Sequence, residues 1–169
     1  NRCNLKCPIC FASAQSVDYV YEPSIDQVRD IVEYAKEMNQ PNIVQGILNS
    51  GGEPTVREDL FDILKMERSL GIDYLVIATN GIRLAEDIEY FKKLRDLEVY
   101  IYLQFDGVTS EPYMKTRNRD LWPVKQKVVE NARKIGYDKI ILVPTIVKGV
   151  NDHQIGEMMR YVAQNSDVI

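Results

Sequence analysis

Four times along this chain a short run of branched and aromatic residues gives way to a turn and then to apolar residues at helical spacing. That alternation limits the fold more than any other feature. The strands are expected over 43–48, 74–78, 99–105 and 140–147. A helix precedes the first, opened by Ser24-Ile-Asp-Gln27 in the pattern of a capping box, with Ile25, Val28, Val32, Ala35 and Met38 on one face and an end before Pro41. A second capping box, Thr55-Val-Arg-Glu58, is expected to open a helix carrying Leu60, Ile63, Leu64 and Leu70, closed by Gly71. Leu84, Ile88, Phe91 and Leu94 mark a third helix. Asp120 begins a fourth, with Pro123 in its first turn where a missing N–H costs little, and Gly136 ends it. Asn151 or Asp152 caps the last, whose apolar stripe is Ile155, Met159, Val162 and Ala163.

Strands alternating with helices across short turns imply an α/β fold with a parallel sheet, either curled toward a barrel or open and doubly wound. Both architectures put ligands at the carboxyl ends of the strands. Gly51-Gly-Glu-Pro54, Thr79-Asn80-Gly81, Gln104-Phe-Asp106-Gly and the segment from Thr145 to Asn151 each follow a strand, and they should share one rim. Within 99–105 the side chains alternate. Val99, Ile101, Leu103 and Phe105 suit packing beneath helices, whereas Tyr100, Tyr102, Gln104 and Asp106 should face the interior of the sheet's curl.

Only three cysteines occur, all in Cys3-Asn-Leu-Lys-Cys7-Pro-Ile-Cys10. Cys-x3-Cys-x2-Cys lets three thiolates converge on one inorganic centre. Three thiolates on a four-iron cluster leave one iron open to a ligand that is not protein, the logic that separates a catalytic from a structural zinc site. Two alternatives compete. A disulfide would be strained across so short a loop and would leave one sulfur over. A structural zinc site needs a fourth ligand, and His153 is the only histidine.

A length of 169 residues with 45% hydrophobic content suits one packed domain. The start on the cysteine loop and the stop at Asp167-Val-Ile169 read as a piece, 1–169, of a longer protein. A net charge of −4 without a basic run gives no footprint for nucleic acid. No apolar stretch is long enough to span a bilayer, and clustered thiols suit a reducing cytoplasm.

Cys3, Cys7 and Cys10 together resemble the cluster motif of the radical S-adenosylmethionine (radical SAM) superfamily. Gly51, Gly52, Glu53 and Pro54 are similar to that family's motif for the methionine amino group, and Asn80 falls on the same rim. Gln104 and Asp106 stand at the position of its ribose motif. Val143 to Asn151 resembles the segment that receives adenine, with Ile146, Val150 and Asn151 as the carry-over. Arg117 or Lys148 is a candidate partner for the methionine carboxylate. The resemblance implies a partial, TIM-like (β/α)6 barrel, lacking here its first strand and most of its sixth. It also implies a 4Fe-4S cluster and S-adenosylmethionine, cleaved to a 5′-deoxyadenosyl radical with an electron from an external donor, and no protein side chain is required as a general base. A side chain at Gly52 should therefore block the cofactor and spare the cluster. Two departures point to a subgroup: Ile9 precedes Cys10 where an aromatic residue is usual, with Phe11 after it, and Gln104 stands where serine is frequent. Cys3 to Ala12 and Leu103-Gln-Phe-Asp-Gly107 resemble the archaeal tetraether lipid synthase group, which implies carbon–carbon bond formation between isoprenoid chains and a peripheral contact with a membrane lipid substrate. A peptide-modifying, cofactor-maturing or methyl-transferring relative is the alternative, and a non-catalytic metal-binding module the competing class.

Overall fold

The computed structural model describes residues 1–14 and 19–169. In order the elements are α1 (Ile25–Met38), β1 (Gly46–Asn49), α2 (Leu60–Ser69), β2 (Tyr74–Thr79), α3 (Ile82–Glu86) and α4 (Ile88–Asp96). There follow β3 (Tyr100–Gln104), α5 (Ser110–Arg117), α6 (Trp122–Ile135), β4 (Ile140–Val143) and α7 (Ile155–Gln164). The four strands form one parallel sheet in the order β1-β2-β3-β4. A doubly wound sheet reverses its strand order at a switch point. This one never reverses, so every crossover can lie on one side, as in a barrel.

Burial agrees with that one-sided arrangement. Leu75, Ile77, Val99, Ile101, Leu103 and Ile140 are buried in a single core with Leu64, Leu84, Phe91, Val128 and Ala132 of the helices. Each such side chain removed from water contributes about 1.5–3 kcal/mol. The alternation expected in β3 holds: Ile101 and Leu103 are inaccessible, while Tyr100, Tyr102 and Gln104 are half-exposed on the opposite face. Leu48, Ile141 and Val143 on that face are 50%, 41% and 40% exposed, so the inner wall of the curl is apolar and uncovered.

Several boundaries differ from the sequence expectation, each for a local reason. The first strand begins at Gly46, not Ile43, because its partner begins at Tyr74; Asp73 and Tyr74 both donate to the Gln45 carbonyl. The last strand stops at Val143, since Pro144 brings no N–H to the ladder and the Thr145 N–H turns to Asp106. Thr55 caps no α-helix: its hydroxyl donates to Glu53, Pro54–Val56 form one 3-10 turn, and α2 starts at Leu60. The single helix expected through Leu84 and Leu94 is two, because the Asp87 carboxylate accepts the Tyr90 N–H and caps a new start. Residues 110–117 form a helix that lacks an apolar stripe and was invisible to periodicity. In α7 the packed side chain is Met158, with Gln154 before it and Tyr161 half-buried after it, whereas Ile155 and Met159 are 47% and 65% exposed. The expected stripe was one residue out of phase. The Ser24/Gln27 capping box and the left-handed glycines 71 and 136 appear as expected.

Glu67 in α2 works against this core. It is 1% exposed; one carboxylate oxygen accepts from Asn49 Nδ2 at 2.9 Å and the other has no partner. Burial raises its pKa, with the Asn49 bond opposing. A raised carboxyl contributes its stability at low pH and loses it as pH rises through the folded-state value. Glu67→Gln should therefore stabilise the protein at neutral pH, and the advantage should shrink as the solution is acidified. Urea unfolding of both proteins across that range measures it.

Candidate active site

The cysteine loop is seated by a hydrophobic anchor. Leu5 is buried with Ile82, Tyr113 and Leu121, and Cys3 and Cys7 pack partly against the same group. Two turn bonds shape the rest of the loop, Cys10 N–H to the Cys7 carbonyl at 3.2 Å and Ser13 N–H to the Cys10 carbonyl at 3.1 Å. No disulfide joins the three cysteines. The Leu5 N–H points at the Cys3 sulfur at 3.4 Å. Burial raises the Cys3 thiol's pKa while that amide lowers it, and a bound metal centre removes such a proton outright. His153 is exposed in the short turn before α7. Among the described residues no three histidine, cysteine, aspartate or glutamate side chains gather around one ion. Cys3, Cys7 and Cys10 would hold a cluster, which is larger than a single ion, from one loop.

Two contacts tie this loop to the strand ends. The Glu53 N–H donates to the Arg2 carbonyl at 2.8 Å, and Asn80 Nδ2 donates to Asn4 Oδ1 at 2.7 Å. Glu53 itself is 3% exposed. Its Oε1 accepts from the Thr55 N–H, the Thr55 hydroxyl and the Thr79 hydroxyl, and its Oε2 from the Asn80 N–H at 2.7 Å. The side chain of Glu53 is therefore committed to joining the end of β1 to the end of β2. Pro54 is likewise structural, as the first residue of the 3-10 turn.

The two glycines differ. A Cβ on Gly51 would meet nothing within 4 Å, and its φ of +134° is open to glycine alone among ordinary residues. A Cβ on Gly52 would lie 1.9 Å from the Arg2 carbonyl oxygen. Gly51 thus faces open space, whereas Gly52 lets the cysteine loop approach. That contact argues against the expectation that a side chain at Gly52 would spare the cluster, because it would push on the cysteine loop itself.

Between the cysteine loop and the strand ends lies a cavity of about 430 Å³, large enough for a nucleoside-sized ligand. Cys3, Cys7, Cys10, Gly51, Gly52 and Glu53 line one side; Asn80, Gln104, Arg117 and Thr145 line the other, over a floor that includes Leu48, Ala78 and Val143. Gln104 leans toward Asp106, yet its amide oxygen and nitrogen both end buried without a hydrogen-bond partner. An unmatched donor and acceptor in one cavity wall is a strong indication of a polar ligand.

Asp106 has no such freedom. It is inaccessible, and it accepts from Arg117 Nε at 2.6 Å, Arg117 Nη2 at 3.0 Å, the Thr116 hydroxyl and the Thr145 N–H. Burial raises its pKa, but the Arg117 bonds and charge outweigh burial and leave it below the ordinary carboxylate value. Asp106 acts by aiming Arg117, which corrects its expected contact with a ribose. Asn151 is inaccessible too: it donates to the Asp106 and Thr145 carbonyls and accepts from the Val147 N–H, so it folds the loop after β4. Ile146 is 44% exposed, Val150 half-buried and Lys148 exposed, and none of the three lines the cavity. Sequence reading missed Asn4, the Thr79 hydroxyl and Lys125. The only signal for Lys125 was a charge on the buried stripe between Leu121 and Val128.

These contacts give two expectations. Glu53→Gln turns an acceptor into a donor facing donors, and should cost about 1–3 kcal/mol in chemical unfolding of the apoprotein. Gly52→Ala should lower iron content after anaerobic reconstitution as well as affinity for S-adenosylmethionine; full iron with only the affinity reduced would contradict the contact with Arg2.

Comparison with known proteins follows the same lines. The chain is 47% identical over 170 aligned residues to the 7,8-dihydro-6-hydroxymethylpterin dimethyltransferase of Methanocaldococcus jannaschii, covering all of this chain and 33% of that protein. It is 28% identical to the GTP 3′,8-cyclase of Mannheimia succiniciproducens, over 95% of this chain and 47% of the cyclase. It thus spans a third to a half of these relatives. Among solved structures, anSMEcpe with bound AdoMet superposes with a TM-score of 0.74 at 20% identity, covering 96% of this chain and 46% of that one. Streptococcus suis SuiB bound to S-adenosylmethionine gives 0.72 at 22%, covering 96% and 36%. Those two likenesses show the fold. The orphaned Gln104 amide, the open side of Gly51 and the three thiolates suit a cluster with a nucleoside beside it. The Radical SAM superfamily model matches residues 1–162, and the chain belongs to that superfamily of enzymes, with a 4Fe-4S cluster and S-adenosylmethionine as cofactors.

Proposed function

We propose that this chain is the radical-generating core of an enzyme that methylates a flat nitrogen heterocycle of the pterin class. The observation that carries this reading is the 47% identity, along the whole chain, to a pterin dimethyltransferase. It favours the methyl-transferring alternative over the lipid-coupling activity suggested by the cysteine motif. When bound, the cluster and S-adenosylmethionine supply a 5′-deoxyadenosyl radical able to take hydrogen from an unactivated C–H.

The work left to the chain is placement and exclusion of water. Cys3, Cys7 and Cys10 hold the cluster. The Gly51 backbone leaves room for the methionine end of the cofactor. Arg117, aimed by Asp106 and bonded to the Thr145 hydroxyl at 3.1 Å, offers a planar cation for its carboxylate. Gln104 offers one donor and one acceptor to the ribose. Leu5 seals the loop from beneath.

A second reading is kept by one feature, the hydrocarbon floor. Leu48, Ala78 and Val143 line the cavity below Gln104, with Leu48 and Val143 widely exposed, and such a wall suits the isoprenoid chains of a membrane lipid. No helix among the described residues is long and apolar enough to cross a membrane, so a lipid would be met by other means. Incubation of the full-length, reconstituted enzyme with a one-electron donor and methyl-labelled S-adenosylmethionine separates the readings. Label in a dihydropterin is the expected result, its methyl coming from a second S-adenosylmethionine, since cleavage to the 5′-deoxyadenosyl radical leaves the methyl of the first on methionine. Joined isoprenoid chains without label would establish lipid coupling instead, and formation of no 5′-deoxyadenosine by a cluster-loaded enzyme would overturn both.

A further inference from the structure

A cation is enclosed where packing alone would accept a hydrocarbon. Lys125 lies in the first turns of α6 and is inaccessible to solvent. Its N–H donates to the Leu121 carbonyl one turn earlier, and Leu121 belongs to the apolar group that seats Leu5 of the cysteine loop. The Lys125 ammonium donates to the Asn80 carbonyl and lies 5.8 Å from the centre of the Tyr113 ring. The carboxylates that act on it through space, Asp106 and Glu53, give their oxygens to other donors. Burying an ammonium costs several kcal/mol, and a methionine of similar length often fills such a site at no loss of stability. Fold stability therefore does not account for a lysine here.

Its surroundings suggest what does. The charges that reach Lys125 are those of Asp106, Glu53, Arg117 and Cys7, one of the three cluster thiolates. Asn80, to which it is bonded, is in turn bonded to Asn4 inside the cysteine loop. Iron–sulfur potentials follow local charge and solvent exposure, and a positive charge in a dry, low-dielectric place acts strongly on an added electron.

We propose that Lys125 is a positioning residue for electron entry: its buried ammonium, held behind the Cys3–Cys10 loop by the Asn80 carbonyl, makes the cluster easier to reduce. The inference rests on the family's cluster. The step it assists is uptake of one electron by the oxidised cluster from a low-potential one-electron donor, and Lys125 itself takes up no electron. Burial pulls the Lys125 pKa down to about 7, while Asp106, Glu53 and Cys7 work to keep it charged; the negative cluster thiolates act in that same sense.

The test is a dithionite titration of the full-length, anaerobically reconstituted enzyme, followed by electron paramagnetic resonance, for wild type, Lys125→Met, Lys125→Gln and Lys125→Arg. Iron content and thermal melting of the apoproteins are measured alongside. Lys125→Met and Lys125→Gln should take up iron normally, and their ratio of reduced to oxidised cluster at the wild-type midpoint should fall roughly three- to tenfold. Lys125→Arg, which keeps the charge, should stay near wild type. The apoprotein of Lys125→Met should melt no lower than wild type. Should the methionine variant fail to fold, the glutamine and arginine variants decide the matter through the same ratio. Wild-type ratios in the neutral variants, with iron intact, would overturn the proposal and leave Lys125 as a clamp on Asn80. A wild-type enzyme that takes up no cluster would instead refute the cofactor assignment, and the proposal with it.

Discussion

The Glu53 carboxylate is the joint on which the site depends. Four donors from two strand ends converge on it in a place where water does not reach. A buried carboxylate left short of donors would be costly, so the ends of β1 and β2 are held in one arrangement. The main-chain N–H of the same residue holds Arg2, and Asn80, one of its donors, holds Asn4. The cysteine loop has no sheet partner of its own. Among the described residues, these bonds and the burial of Leu5 help hold it against the strands.

A second group performs the same office on the far side of the cavity. Asp106 accepts two bonds from Arg117 and one from the Thr145 backbone, while Asn151 bridges the Asp106 and Thr145 carbonyls. Acidic and amide side chains thus stand behind Gly51, Gln104 and Arg117, which line the cavity. Polar groups behind the wall are satisfied, and Gln104 in the wall is not.

The sheet is asymmetric in a way that matters for chemistry on a reactive species. One face is sealed by helices and fully buried, and the other presents Leu48, Ala78, Tyr102 and Val143 to the cavity. Leu48, Ala78 and Val143 make much of that wall hydrocarbon, with the Tyr102 phenol as its polar exception. The helix-side core, continuous from α1 to Val168, gives that wall its rigidity.

Much of this was legible in the chain itself. Period-two and helical spacing located all four strands and most helices, because each element buries one face and leaves a repeating mark. The three cysteines and Gly51-Gly-Glu-Pro identified the rim, since ligation and close backbone approach tolerate few other residues. α5 left no mark because it buries only Pro112, Tyr113 and Thr116, and the phase of α7 was misread because its exposed apolar residues outnumber its buried one. What each polar residue does was decided by the tertiary structure alone. Glu53, Asp106 and Asn151 have the same chemistry whether they face a ligand or a neighbour, and only the folded arrangement of their partners, from as far as 45 positions away in the chain, determines which. Sequence by itself pointed to the parallel α/β fold and set three cysteines in one short loop, through short-range patterns. Which side chains remain open to the cofactor is a question of three-dimensional satisfaction, and it has no local signature.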